Sequence, residues 1–194
     1  MDYWLNNMKE LEEKILKDGR IIDNEIIKVD SFLNHQIDPD IINKLAHVIL
    51  DEFTTPDKIL TIESSGIAIG YAVASLAGNI PLVFAKKHTS RIVVGEQYVE
   101  EIYSFTKGMS YPVTVCKDYL KRGEKILIVD DFLAEGNASI GLYKLCKQAG
   151  CRVVGVAVAI EKGFQGGRKK LEELGLKVYS GAIIKAFKDN KPVF

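Results

Sequence analysis

The sequence is poor in cysteine, histidine and tryptophan, with 3, 3 and 1 of them among 194 residues. Cys116, Cys146 and Cys151 are odd in number and lack metal-ligand spacing, which argues against a disulfide framework and against structural zinc. They are expected to be buried or partly buried free thiols. His47 lies in the apolar stretch INKLAHVIL and is expected to pack rather than to do chemistry. Neither sign of charge is in excess, because 26 basic residues balance 26 acidic ones. No overall field therefore draws the chain to nucleic acid or to an anionic membrane, and any anion site must be local. No uninterrupted apolar run approaches the roughly 20 residues of a membrane span. The stretch MDYWLNNMKELEEKILKDG has no basic segment followed by an apolar core. No nucleic-acid partner, no membrane partner and a cytoplasmic location are expected.

What is present is enough for a core: 47% of the residues are hydrophobic and 27% charged, the balance of a globular chain. Leu5, Met8, Leu11, Ile15 and Leu16 recur at helical spacing and predict an amphipathic helix ending near Gly19. Asp38 followed by Pro39 predicts the start of a second helix, with Ile41, Leu45, Val48 and Ile49 on its apolar face. Between them, EIIKVDSFLNHQ is rich in β-branched residues without a helical stripe and reads as a short strand or extended segment.

From Lys58 the pattern changes to apolar runs bounded by glycine and charge: KILTIE, IPLVFA, KILIVDD and CRVVGVAVAI. Helix-compatible stretches ending in glycine, GIAIGYAVASLAG and NASIGLYKLCKQAG, separate the first pair and the last pair. Continuously apolar strands alternating with helices predict an α/β fold: a mostly parallel, doubly wound sheet with helices on both faces. Lys87 to Val115 breaks the rhythm and reads as an excursion of strands with a long mobile loop, the kind of segment that serves as a lid.

The paired acids Asp130 and Asp131 close the apolar run KILIV. Ligands of such sheets bind beyond the carboxyl ends of the strands. The next residues, FLAEGNAS, form a tight connection through Gly136 into a helix starting near Ala138, whose unpaired N–H groups and positive dipole end suit a phosphate. Two carboxylates beside a phosphate turn fit a ribose 5-phosphate, with the diol on the acids. Read alone, the acids would simply solvate a strand end.

The stretch ILIVDDFLAEGNA resembles the phosphoribosyl-pyrophosphate motif of type I phosphoribosyltransferases. KVDSFLNHQIDP, TIESSGIA, VFAKKH, YSFTK and AIEKGFQGGR extend the likeness over nearly the whole chain, toward the branch of the family that acts on xanthine. The resemblance implies the type I phosphoribosyltransferase fold as one domain over residues 1–194, with a small N-terminal hood over about 1–37 and a mobile loop or hairpin over about 87–111. It implies transfer of the 5-phosphoribosyl group from phosphoribosyl pyrophosphate to xanthine, in purine salvage, giving xanthosine 5′-monophosphate and pyrophosphate. Mg²⁺ bound with phosphoribosyl pyrophosphate, and a homodimer, are implied in the same way.

By that resemblance Asp130 and Asp131 contact the ribose hydroxyls. Ala134, Glu135, Gly136, Asn137 and Ala138 form the 5′-phosphate loop, to which Ser139 adds a hydroxyl. Glu135, Asn137 and Ala138 depart from the threonines and second glycine of many family members, and Glu135 is expected to turn to solvent, since an acid facing a phosphate would repel it. Ser64, Ser65 and Gly66 in ESSGI are placed at the pyrophosphate, although serine at a helix start also caps it. Lys87, and with less reason Lys86 and His88, are cations for the pyrophosphate. Tyr103, Ser104 and Lys107 belong to the closing loop. Ile27, Leu33 and Asn34 are placed as xanthine neighbours, and Lys162 offers a cation to xanthine oxygens or is a surface lysine.

No covalent nucleophile and no general base stand out. A silent phosphoribosyl-pyrophosphate sensor would need a basic DNA-binding helix, and MKELEEKILKDG mixes its charges. A dinucleotide-dependent oxidoreductase would need a glycine fingerprint that ESSGIAIG does not match. Another purine, guanine or hypoxanthine, remains the alternative base.

Overall fold

The computed structural model describes residues 2–87, 95–104 and 108–194. Helix α1, Asp2–Asp18, ends where Gly19 donates its N–H to the Ile15 carbonyl (2.9 Å). Leu11 and Ile15 of the expected stripe are buried, whereas Leu16 is half exposed. Strands β1, Arg20–Ile22, and β2, Ile26–Lys28, form a hairpin. Its two turn residues, Asp23 and Asn24, are both left-handed (φ 53° and 52°), the backbone of a type I′ turn that matches strand twist. The segment expected to be extended then winds into one π turn, Asp30–Asn34, which buries Phe32 and Leu33.

Helix α2, Pro39–Glu52, starts as its sequence dictates: the Asp38 carboxylate accepts from the N–H groups of Asp40 (3.2 Å) and Ile41 (3.5 Å). Ile41, Leu45, Val48 and Ile49 are buried. His47 is on the opposite, exposed face, so the expectation that it packs in the core is corrected: an apolar stretch of sequence becomes two faces once wound at 3.6 residues per turn.

The chain continues through β3 (Lys58–Ile62), α3 (Gly66–Leu76), β4 (Leu82–Ala85), β5 (Gln97–Ser104), β6 (Met109–Cys116), β7 (Lys125–Leu133), α4 (Asn137–Ala149), β8 (Arg152–Lys162), α5 (Gly167–Glu173) and β9 (Val178–Ile184). The central sheet has five parallel strands in the order β4-β3-β7-β8-β9. Residue alternation sorts its side chains into two cores. Leu127, Val129, Ala157 and Ala159 meet α1, α2 and α3 on one face. Ile126, Ile128, Val156 and Val158 meet Leu142, Leu145 and Cys146 of α4 on the other. A sheet covered on both faces needs strands apolar at every position, which is why they read as runs.

Strands β5 and β6 pair antiparallel as a hairpin that leans on α4. Lys144 pairs with Glu100 (2.9 Å), and the Gln148 amide donates to the Val99 carbonyl (2.9 Å). The expected excursion of strands is this hairpin. His88 and Lys107 lie outside the described residues.

The chain ends in a second hairpin, β10 (Ala186–Lys188) and β11 (Lys191–Val193), again turned by Asp-Asn with positive φ at Asp189 (51°) and Asn190 (54°). The two hairpins meet tip to tip. Asn24 donates its N–H to Asn190 Oδ1 (3.0 Å) and Asn190 donates its N–H to Asn24 Oδ1 (2.7 Å). A hairpin within the expected hood, residues 20–28, thus meets one from residues 186–193.

Candidate active site

The site is built on β7. The strand does not stop at its acids but runs on through Phe132 and Leu133, so Asp130 and Asp131 project from within it, 4% and 8% exposed. Solvated strand-end acids would not be buried, so that bland alternative fails. Asp130 Oδ1 accepts the Asp131 N–H (2.9 Å). Asn34, 97 residues away in sequence, donates from Nδ2 to Asp131 Oδ2 (3.2 Å) and so joins a hood residue to the acid pair. Burial, and then the neighbouring Asp131, push the Asp130 carboxyl well above the ordinary range, with Lys87 pulling weakly the other way. Tyr111 of β6 faces the same acid: burial, then Asp130, raises its phenol.

Two loops close on this pair. At the end of β3, Gly66 begins α3 so near Asp130 that a Cβ there would lie 2.9 Å from Asp130 Oδ1 and 2.1 Å from Thr61 Oγ1. Only glycine fits. Ser65, at the N-cap of α3, makes no capping bond with its side chain, which removes the helix-cap alternative for it, and Ser64 is exposed. Glu63 accepts the Lys87 N–H at 2.7 Å and fixes the turn after β4. Lys86 is exposed with its main chain paired to Thr114, while Lys87 is half-buried toward Asp130.

The connection after β7 holds Ala134, Glu135 and Gly136, then Asn137, Ala138 and Ser139 in the first turn of α4. Gly136 is left-handed (φ 82°) and ends the loop without a side-chain cap. The first N–H groups of α4 are therefore available to an anion. The Asn137 amide donates to the Tyr103 carbonyl (3.0 Å), tying the β5–β6 hairpin to the loop, and Ser139 is buried. Glu135 is not simply in solvent as expected: its Oε2 is 2.7 Å from Lys170 Nζ, which also donates to the Glu135 carbonyl (3.0 Å). A cation carried by α5 neutralises the acid beside the loop.

At the far end, Lys162 closes β8. Its ammonium donates to the Glu25 carbonyl (3.1 Å) in the first hairpin and lies 5.9 Å from the ring centre of Phe187 in the last. Burial lowers its pKa, opposed by Glu25. Ile27 and Leu33 are core residues, 8% and 0% exposed, and do not wall the cleft; Glu25 and Ile26 do. The cleft between hood, hairpin and loop measures about 680 Å³, with Tyr103, Tyr111, Lys162 and Gln165 in its wall beside residues 134–139. That volume suits a nucleotide-sized ligand.

Residues 28–180 match the profile of the phosphoribosyl transferase domain. The chain belongs to that family. It is 48% identical over 189 residues to the xanthine phosphoribosyltransferase of Laribacter hongkongensis, covering 96% of this chain and 100% of that one. It is 46% identical over 189 residues to the xanthine phosphoribosyltransferase of Clostridium tetani, again over 96% and 100%. Among solved structures, adenine phosphoribosyltransferase from Rhodothermus marinus superposes with a TM-score of 0.75 at 19% identity, over 93% of this chain and 99% of that one. The adenine phosphoribosyl transferase of Trypanosoma brucei, in complex with AMP, pyrophosphate and ribose-5-phosphate, gives 0.76 at 16%, over 93% and 82%. These two likenesses are of fold.

Sequence reasoning missed Glu63, Tyr111, Lys170 and Phe187. It also missed Glu161, 2% exposed, which takes the Arg168 guanidinium (2.6 Å from Nη2) and the Ser180 hydroxyl. This buried network seats α5, and with it Lys170, beside the phosphate loop. The partners in each pair lie on different elements, so no local pattern announces them.

Proposed function

We propose that the chain transfers the 5-phosphoribosyl group of phosphoribosyl pyrophosphate to xanthine, giving xanthosine 5′-monophosphate and pyrophosphate. The carrying observation is the buried pair Asp130 and Asp131 in the strand that leads into the uncapped start of α4, next to a cleft lined by residues 134–139 at one end and by the Lys162 cation at the other. The names of the relatives at 46% and 48% identity support xanthine as the base.

In this reading the N–H groups of Gly136 to Ser139 hold the 5′-phosphate. Asp130 and Asp131 accept from the ribose hydroxyls. Ser64, Ser65 and the backbone at Gly66 receive the pyrophosphate, with Lys87 above it. Among the described residues no cluster of three or more metal-ligating side chains exists. Mg²⁺ takes one or two carboxylates and otherwise phosphate and water oxygens, which fits a pair of acids beside a diphosphate; bound there, it would neutralise the leaving group. Asp130 and Asp131 then face the positive charge that develops on the ribose as the bond to pyrophosphate lengthens. Tyr103 and Tyr111 on the hairpin exclude water from that centre. Asn34 and Lys162 hold the base, and positioning replaces a covalent nucleophile.

The base end follows from two hood hairpins meeting at Lys162. Half-buried cations seek oxygens, and xanthine has one at C2 where adenine has none. A base lacking it leaves donors unpaired, at about 1–3 kcal/mol each. The whole chain acts as one domain, since both its ends build the hood. We also propose a homodimer: Tyr71 and Leu76 of α3 and Phe84 of β4 expose apolar surface beside the sheet edge (69%, 41% and 42%). No helix among the described residues is long and apolar enough to cross a membrane, and three free thiols fit a reducing cytoplasm. Turnover of xanthine, guanine, hypoxanthine and adenine in parallel tests the function.

A further inference from the structure

Gln165 lies in the turn between β8 and α5. Its N–H donates to the Lys162 carbonyl (2.9 Å), and its own carbonyl accepts from the Gly167 N–H (2.9 Å). The same Gly167 N–H reaches the Ala134 carbonyl (3.1 Å) in the phosphate loop. The main chain of Gln165 is thereby fixed between the base-side lysine and the loop. The residue belongs to the wall of the large cleft. Yet its Oε1 is shut off from solvent and has no hydrogen-bond partner among the described residues.

Such an atom demands an explanation, because a buried carbonyl oxygen without a donor is destabilising. Among the described residues two other side-chain atoms share the condition, Thr61 Oγ1 and Tyr179 OH. Thr61 is packed beneath Gly66, and Tyr179 borders a small void under α1 and α2. Of the three, only Gln165 belongs to the wall of the large cleft.

We propose that Gln165 is a specificity-determining residue of the base site, its amide turning from its shut-off, unpartnered position into the cleft so that Oε1 accepts a hydrogen bond from a ring N–H of the base. The inference rests on Lys162 as a base contact. An oxidised purine presents an imide edge, a ring N–H flanked by carbonyl oxygens. A cation satisfies an oxygen, and an amide carbonyl satisfies the N–H beside it, so Lys162 and Gln165, three residues apart, supply complementary halves. Adenine carries a lone pair at that ring nitrogen and would set acceptor against acceptor. Guanine keeps the N–H but carries an amino group where Lys162 expects oxygen. Gln165 therefore rejects adenine, and Lys162 rejects guanine.

The test is the Gln165→Met variant, which keeps length and removes the amide. KM for xanthine should rise about tenfold, the equivalent of one neutral hydrogen bond. KM for phosphoribosyl pyrophosphate should stay within about twofold, the measure of an effect confined to the base. The preference for xanthine over adenine should narrow. The thermal midpoint without ligands should hold or rise, because no bond is lost from the free protein. Gln165→Asn, which keeps the amide but withdraws it by one methylene, should show the same kinetic pattern and serves if the first variant does not fold. A lowered midpoint with unchanged xanthine KM would assign a structural role and overturn the proposal. A rise in KM for phosphoribosyl pyrophosphate alone would place the amide on the ribose and overturn it as well. Lys162→Met is measured alongside. If it weakens xanthine and the Gln165 variants do not, only this inference falls; if neither does, the base-side reading falls with it.

Discussion

Lys170 on α5 and Glu135 in the loop before α4 form an ion pair of 2.7 Å between two segments separated in sequence by α4 and β8. In the proposed reading the pair resolves an apparent conflict, an acid beside a loop that receives a phosphate. With the cation in place the loop presents no net negative charge to an incoming phosphate. Without it, Glu135 repels the ligand.

Lys170→Met should therefore raise KM for phosphoribosyl pyrophosphate about three- to tenfold, a moderate effect because both side chains are partly solvated. The xanthine KM should not move. The double variant Glu135→Gln with Lys170→Met should recover most of the loss, which initial rates against phosphoribosyl pyrophosphate would measure. Continued weakness in the double variant would mean that Lys170 meets the phosphate itself.

Asp130 carries a second prediction, in stability. Its carboxyl is raised above the ordinary range by burial and by Asp131, so the folded protein binds its proton more tightly than the unfolded chain does. The unfolded carboxyl titrates near pH 4. Stability contributed by the protonated form is thus present below about pH 4 and is lost as pH rises through the raised folded value. Asp130→Asn should raise the thermal midpoint at neutral pH, the gain shrinking as pH falls toward about 4. The same variant should lose about 10- to 100-fold in kcat/KM, the loss of a charged hydrogen bond to the ribose. Calorimetry across pH together with initial rates checks both signs.

The clasp between Asn24 and Asn190 holds the two hairpins that place the Glu25 carbonyl and Phe187 around Lys162. Asn190→Gly keeps the positive φ its position requires (54°) and removes one of the two bonds. The exposed bond should cost about 1 kcal/mol or less of stability, while KM for xanthine should rise about threefold as Lys162 loses its frame. Steady-state kinetics with each substrate varied would show the asymmetry.

Long-range pairing decided what could be read beforehand. The parallel sheet was legible because strands such as KILIV are apolar at every position, and α2 because Asp38 and Pro39 announce its start. The acid pair stood out by interrupting such a run. The first hairpin was read only as a short strand or extended segment and the last was not read at all, since strands of three residues give no periodicity. A clue was available: Asp-Asn occurs at 23–24 and again at 189–190, each time between short extended stretches, and it favours the left-handed turn both hairpins use. Ile27 and Leu33 were placed at the base but sit in the core, because the hairpin turn gives the cleft to Glu25 and Ile26. Glu135 was assigned to solvent because its partner lies 35 residues on, in a helix that was not foreseen.

The central claim is tested most directly by following product formation from phosphoribosyl pyrophosphate and Mg²⁺ with xanthine, guanine, hypoxanthine and adenine in parallel. Rapid formation of xanthosine 5′-monophosphate, with kcat/KM for xanthine at least about tenfold above the other bases, is the predicted result. Faster turnover of guanine or hypoxanthine would contradict the base assignment, and binding of phosphoribosyl pyrophosphate without turnover of any base would contradict the proposed catalysis.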